Sequence, residues 1–325
     1  MKLATFEVET EVGRKRSVGV KRDDAEQLVD VTAAYAAALS KAGEDDAVAV
    51  AETHAPSEMQ AFLERGDRAL EAAREALEHV DDAEGDESGL TGESLVFDLN
   101  SDDVNLLPPL PRPNTVRDFM VFEEHVKNTG GDPPDVWYDV PIYYKGNPNP
   151  DVTYGSDDDV PYPSYSESLD YELEVAAVIG KKGRDIPAEE ADDYITGYTV
   201  FNDFSARDTQ LEEMQGQLGP AKGKDFANSF GPYLVVSDDF DVTEARMTAE
   251  IDGEEWSEGV AGEMHHSFAE IIEHVSQDET LYPGDVLGSG TVGGGCGLEL
   301  GRFLEKGNTI TLHVEGIGTL ENTVV

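Results

Sequence analysis

The sequence contains a single cysteine, Cys296, among 325 residues. An internal disulfide is therefore excluded, as is a metal cage built from several thiolates of one chain. Positive charge is scarce too: 23 Lys and Arg face 69 Asp and Glu, for a formal net charge of −46. Such a chain repels phosphate backbones, so nucleic acid is not an expected partner. No apolar run approaches the ~18–20 residues that cross a bilayer. The opening MKLATFEVET lacks the basic flank and apolar core of a secretory signal. The expectation is a cytoplasmic protein with no membrane contact.

What is present is core-forming material. Hydrophobic residues make up 39% of the chain and aromatics 8%. An intrinsically disordered acidic chain is usually poor in both. The remaining reading is a halophilic protein, folded in concentrated salt that screens its carboxylates and lets them hold water at the surface.

Two regions differ in pattern. Residues 1–108 read as a small α+β domain. Leu3, Thr5 and Glu7 alternate with Ala4, Phe6 and Val8, as in a strand. Residues 29–43 and 56–80 read as helices, the second with Met59, Leu63, Leu70, Ala73, Leu77 and Val80 on one buried stripe. Residues 81–103 read as a solvated loop. Four prolines within 106–114 make a stiff connection, which sets the boundary near 108. From 109 to 325 strands dominate: 173–180, 194–203, 232–237, 245–253 and 308–316, with Asp252-Gly253 as a hairpin turn. Short helices are expected at 187–194 and 267–275. Without regular strand–helix alternation, a doubly wound parallel sheet is not expected.

Several constellations can carry chemistry. In Asp170-Tyr171-Glu172-Leu173-Glu174, residues Glu172 and Glu174 share a strand face. They form either an acidic surface or half of a cation site. Asp203 lies where the apolar strand 194–203 gives way to Phe204-Ser205-Ala206-Arg207-Asp208. Either Asp203 or Ser205 can cap a helix there, or Asp203 can be a ligand. Arg117-Asp118 through Glu123-Glu124-His125 places a lone imidazole after two acids, as on a solvated helix face. Lys222 and Lys224 sit in a glycine-containing loop, either as surface charges or as an anion contact. Gly288-Ser289-Gly290-Thr291-Val292-Gly293 matches the spacing of a dinucleotide fingerprint. Gly294, Gly295 and Gly297 disfavour the helix that motif requires. A run that brings backbone N–H groups near a small ligand fits better. His265-His266 read as packing or capping, Asp157-Asp158-Asp159 as solvated, and Cys296 as a buried small residue.

In order and spacing, these pieces resemble the catalytic domain of the fumarylacetoacetate hydrolase family, over about residues 112–325. The resemblance implies a mixed α/β, β-rich fold: a mixed β-roll catalytic domain, usually dimeric, behind a small N-terminal domain. It implies that Asp118, Glu172, Glu174 and Asp203 hold Mg²⁺, Mn²⁺ or Ca²⁺, an assignment consistent with an all-oxygen donor set. It pairs His125 with Glu299 to activate water, the segment that holds His125 acting as a lid over the substrate. Lys224 stabilises developing charge, and Tyr144, Arg207, Gln210 and Thr291 contact substrate oxygens. The implied activity is hydrolysis of a carbon–carbon bond in a 1,3-diketo acid: an acylpyruvate, fumarylpyruvate or fumarylacetoacetate. Aromatic catabolism is the implied setting.

Two departures bear on the substrate. Met120 stands where the animal fumarylacetoacetate-cleaving enzymes have a substrate-contacting tyrosine, and the stretch between Thr291 and Glu299 is short. The same family includes isomerases and decarboxylases of meta-cleavage products and dehydratases of 2-keto-3-deoxy sugar acids. A non-catalytic acidic binding protein is the reading from a different class, in which the carboxylates lie scattered and solvated.

Overall fold

The computed structural model describes residues 1–10, 13–23, 25–82 and 87–325. The chain divides into two compact units, Met1–Leu110 and Pro111–Val325.

In the first unit, β1 (Lys2–Thr10) pairs antiparallel with β2 (Gly13–Lys21), and β2 pairs with β3 (Gln27–Asp30). Asp30 ends β3 and caps α1 (Val31–Lys41), its Oδ1 accepting from the Ala33 N–H at 3.1 Å. α2 (Ala47–His54), α3 (Met59–Leu63) and α4 (Asp67–Asp81) follow. β4 (Val96–Asp98) then pairs with β3, and β5 (Val104–Leu107) with β1.

Three sequence expectations change here. The helix expected at 56–80 is two helices: α3 stops at Leu63, and Gly66, at a positive φ of 57°, is the N-cap from which α4 starts. With the helix restarted at Asp67, the buried face becomes Ala69, Ala72, Ala73, Ala76 and Val80, and Leu70 and Leu77 move to its half-buried margin. The expected loop 81–103 contains β4, anchored by fully buried Leu95; residues 83–86 lie outside the described residues.

The second unit introduces β6 (Thr115–Phe119), α5 (Glu123–Gly130), α6 (Asp135–Asp139), β7 (Tyr143–Gly146), β8 (Thr153–Tyr154), β9 (Asp159–Val160) and β10 (Leu169–Asp170). Next come β11 (Leu173–Ile179), β12 (Gly183–Arg184), β13 (Ile195–Asn202), β14 (Ser205–Ala206), α7 (Arg207–Met214) and β15 (Asn228–Val236). β16 (Arg246–Ile251), β17 (Glu254–Val260), α8 (Phe268–Ser276), β18 (Thr280–Leu281), β19 (Asp285–Gly288), α9 (Gly297–Leu300), β20 (Thr309–Val314) and β21 (Gly318–Val324) complete it.

One sheet of this unit runs β15-β13-β11-β19-β6-β7, with β19 and β6 parallel. A second, five-stranded sheet runs β17-β16-β20-β21-β9. Leu173, Val175 and Ala177 from the first meet Met247, Ala249, Leu312 and Leu320 from the second in one apolar cluster. β11 is buried on both faces, as its run LEVAAVI, apolar except for Glu174, requires. The β16–β17 turn is the expected Asp252-Gly253, both at positive φ, 53° and 79°. The expected helix 187–194 is a 3₁₀ helix, Ala188–Tyr194. α8 keeps its expected buried face of Phe268, Ile271, Ile272 and Val275, with Ser267 and Glu270 forming a reciprocal cap. The whole is a mixed α/β, strand-rich fold.

Candidate active site

The site is built where strands of the first sheet end. β6 delivers Asp118, the segment entering β11 delivers Glu172, β11 itself delivers Glu174, and the residue after β13 is Asp203. Registers bring them together: Leu173 pairs with Asn202, Gly288 with Asp118, and Asp118 with Tyr144 of β7. Gly288 is needed opposite Asp118, because a Cβ there would lie 2.7 Å from Asp118 Oδ1. All four carboxylates are buried, and one oxygen from each lies within 4.8 Å of the others. The scattered, solvated arrangement of the non-catalytic reading is absent.

Two buried cations serve this cluster. Lys224 Nζ donates to Glu172 Oε2 and to Asp203 Oδ2. Arg207 donates from Nη2 to Glu172 Oε1 at 2.8 Å and from Nη1 to Gln210 Oε1 at 3.0 Å. Tyr144 Oη donates to Asp203 Oδ2 at 2.6 Å. The Gly290 N–H donates to Glu174 Oε2 at 3.1 Å, and Thr291 Oγ1 makes a longer contact of 3.4 Å with Glu174 Oε1. Gly290 sits at φ 81° and passes so close to β6 that a Cβ would lie 2.1 Å from the Phe119 carbonyl oxygen.

The charge balance is lopsided. Burial opposes ionisation of Glu172, but Lys224 and Arg207 outweigh it and hold this carboxyl far below its usual range. Burial first, and then the neighbouring carboxylates, push Asp118 and Glu174 well above theirs. Asp203 is pushed up to about 6 by burial, against the pull of Lys224. Asp118 Oδ1 and Asp203 Oδ1 are buried with no hydrogen-bond partner among the described residues. Buried carboxyl oxygens left without a partner at the centre of such a cluster are what a hard divalent cation satisfies, and the all-oxygen set suits Mg²⁺, Mn²⁺ or Ca²⁺. The residues present therefore fit such an ion.

Beside this cluster lies a His–Glu pair. His125, in the first turn of α5, donates from Nδ1 to Glu299 Oε1 of α9 at 2.7 Å, the tautomer following from its carboxylate partner. Glu299 Oε2 accepts from Asn128 Nδ2 and from the Gly294 N–H, each at 2.7 Å. Burial pushes Glu299 up, but its bonds from His125, Asn128 and Gly294 outweigh this and hold it below its usual range. The loop before α9 joins the pair to the cluster: Glu172 bridges to Cys296, and the Leu173 N–H donates to the Gly295 carbonyl at 3.0 Å.

Asp170, singled out from the sequence only as part of an acidic run, is a junction. It is fully buried at the end of β10. Its Oδ2 accepts from Arg207 Nε at 2.8 Å and from the Leu298 N–H at 2.9 Å, and its Oδ1 accepts from the Gly297 N–H at 2.7 Å. One carboxylate thus aligns the arginine that holds Glu172 and the first turn of the helix carrying Glu299. No local signal marks it: beyond the adjacent Tyr171 N–H, its partners lie 37 and 127–128 residues away.

Other expectations resolve more plainly. α7 starts after Ala206 with no side-chain cap, so neither Asp203 nor Ser205 caps it; Ser205 Oγ donates instead to the Asp203 carbonyl at 3.1 Å. Only Lys224 enters the site, while Lys222 lies over the Tyr165 ring at 4.6 Å. The glycine run aims the Gly290 and Gly294 N–H groups at Glu174 and Glu299. His265 and His266 hydrogen-bond the backbone carbonyls of Tyr138 and Trp137, each at 3.1 Å.

Comparison with known proteins bears on this geometry. Residues 114–325 match the family model described as the C-terminal domain of fumarylacetoacetate (FAA) hydrolase. An uncharacterized protein of Staphylococcus epidermidis is 33% identical over 234 residues, 71% of this chain and 75% of that protein. Among solved structures, a fumarylacetoacetate hydrolase from Exiguobacterium antarcticum is 24% identical and aligns over 99% of both chains with a TM-score of 0.71. A 5-carboxymethyl-2-hydroxymuconate delta-isomerase from Mycobacterium smegmatis is 25% identical over 100% of this chain and 99% of its own, TM-score 0.65. A maleylpyruvate hydrolase from Sphingobium sp. SYK-6 is 20% identical over 100% and 99%, TM-score 0.68.

Proposed function

Because the chain belongs to the fumarylacetoacetate hydrolase family, we propose that it is a divalent-metal-dependent hydrolase of a carbon–carbon bond in an acylpyruvate-type 1,3-diketo acid. The observation that carries this reading is the 2.7 Å His125–Glu299 pair, joined through the Cys296 loop to a buried carboxylate cluster. A cluster alone suits any enzyme that binds a 2-oxo acid; an aligned base beside it suits attack by water.

Asp118, Glu172, Glu174 and Asp203 are the residues that would hold the cation. When bound, a hard divalent ion supplies Lewis-acid polarisation of the substrate's oxygens. The chain's own groups do the rest. Glu299 keeps the proton of His125 on Nδ1, which leaves Nε2 free to take a proton from water. That water adds to the acyl carbonyl, the carbon–carbon bond breaks, and the electron pair moves onto pyruvate as its enolate. Burial disfavours the Lys224 ammonium, but Asp203 and Glu172 outweigh this and keep it protonated, so it can stabilise the enolate oxygen. His125 returns its proton to the enolate carbon, giving a carboxylate and pyruvate. Arg207, Gln210, Tyr144 and Thr291 orient the carboxylate cluster and offer donors to the substrate's polar end. α5 would settle over the bound acid and exclude bulk water.

The same reading makes the protein a cytoplasmic homodimer, adapted by its −46 charge to concentrated salt, with a place in aromatic catabolism. The test is a panel of 2,4-dioxo acids, meta-cleavage products and keto-deoxy sugar acids, assayed with Mg²⁺ or Mn²⁺ in molar KCl. Release of pyruvate from acylpyruvates supports it. Turnover confined to isomerisation, decarboxylation or dehydration of the other acids overturns it.

A further inference from the structure

Cys296 is fully buried, yet it does not sit among apolar side chains alone. Its Sγ lies 3.6 Å from Glu299 Oε1, the same oxygen that His125 Nδ1 reaches at 2.7 Å. A sulfur, an imidazole nitrogen and a carboxylate oxygen thus lie within 4.8 Å of one another. This second group differs in kind from the all-oxygen cluster. Its mixed sulfur, nitrogen and oxygen donors are among those zinc accepts, and zinc takes three protein ligands and a water in open sites.

The spacing agrees with that ion. Tetrahedral zinc, with Zn–S of ~2.3 Å and Zn–O of ~2.0–2.2 Å, holds sulfur and oxygen about 3.5 Å apart. The sulfur–oxygen separation here is 3.6 Å. The nitrogen and oxygen, now hydrogen-bonded, would part by roughly 0.6 Å to make room for the metal.

We propose that His125, Cys296 and Glu299 form a latent inhibitory site for Zn²⁺ or an ion of similar softness, separate from the carboxylate cluster. Coordination by Sγ releases the thiol proton to solvent. Coordination by Nδ1 moves the imidazole proton to Nε2. One proton leaves per ion bound, and no redox change occurs. Burial holds the thiol against ionisation and Arg207 eases it; a metal at the sulfur provides the compensating charge. The tautomer shift is the inhibitory step. With its proton on Nε2, His125 can no longer accept one from water. The inhibition rests on the hydrolytic reading above; the binding does not.

Cobalt(II) is the probe, because a thiolate bound to it gives a sulfur-to-metal charge-transfer band in the near ultraviolet. In the full-length protein with the carboxylate site saturated by Mg²⁺, the expected result is such a band, saturating at one equivalent of Co²⁺ and reversed by Zn²⁺. The chain has a single cysteine, so the band has only one possible origin and needs no variant to assign it. In the acylpyruvate assay, Zn²⁺ should inhibit in the presence of excess Mg²⁺. Cys296→Ser should raise the half-inhibiting Zn²⁺ concentration at least ~10-fold, with Cys296→Ala as the second variant. Absence of the band at saturating Co²⁺ overturns the proposal, and so does unchanged zinc sensitivity in both variants. A protein that shows the band but does not hydrolyse acylpyruvates would retain the metal site and lose the hydrolytic reading.

Discussion

The carboxylate cluster and the His125–Glu299 pair are neighbours built on opposite principles. The cluster hangs from strand ends, is sealed from water, and is braced by Lys224, Arg207 and Tyr144. The pair spans two short helices, α5 and α9, and α5 runs from buried His125 out to exposed Lys127–Gly130. Strand ends hold these carboxylates in fixed geometry, because each lies in or directly beside a paired strand. A short helix with a solvent-facing end can move as a body, as a step that admits substrate and releases product demands. In the proposed function the difference separates holding an ion from moving a proton, and substitutions should separate the two as well.

The largest effect should come from the cluster. Asp203→Asn removes a buried partner of Lys224, a change of ~3–5 kcal/mol in comparable buried pairs. Mg²⁺ affinity by calorimetry and turnover should fall together, and full turnover in EDTA would break the comparison at its root. His125→Ala should cut hydrolysis by ~10²–10⁴-fold while Mg²⁺ affinity stays near that of the parent; loss of metal in this variant would mean that the two sites are one. Asp170→Asn tests the junction. Its bonds to Arg207 Nε and to the α9 backbone predict a drop of roughly 10–100-fold in kcat and in Mg²⁺ affinity alike. An effect on only one would show that Asp170 serves a single site.

The smallest effect concerns pH. A carboxyl with a raised pKa keeps its proton in the folded protein at pH values where the unfolded chain has lost it. Stability of the cation-free protein should therefore fall as pH rises from the ordinary aspartate value of 3.8 through about 6, the value for Asp203. Asp118 and Glu174, raised further, extend the fall upward. Melting in EDTA should thus be easier at pH 8 than at pH 5.5, and the gain in Tm on adding Mg²⁺ should grow with pH. A gain that shrinks as pH rises would contradict the charge balance assigned to the cluster.

What the sequence makes legible follows the range of the interactions. The period-two spacing of Glu172 and Glu174, the Asp252-Gly253 turn and the stripe of α8 are local patterns, and each corresponds to an element with a local cause. Other features depend on partners far along the chain. α2, AVAVAETH, carries no helical stripe and buries only Ala47 and Ala51, so its pattern gave no signal. The break at Gly66 depends on one backbone angle inside an otherwise continuous helical composition. β4 is three residues long within an acidic stretch and exists because β3 pairs with it. Asp170 looks like one more acid in a very acidic chain until the backbone of Gly297 and Leu298 is folded onto it.

The central claim is most directly tested by diffraction from crystals soaked in Mn²⁺, recorded for the anomalous signal of that ion. The account predicts one strong peak with oxygens of Asp118, Glu172, Glu174 and Asp203 around it at ~2.0–2.6 Å. A cluster with no peak, in crystals whose manganese binds elsewhere, would contradict it.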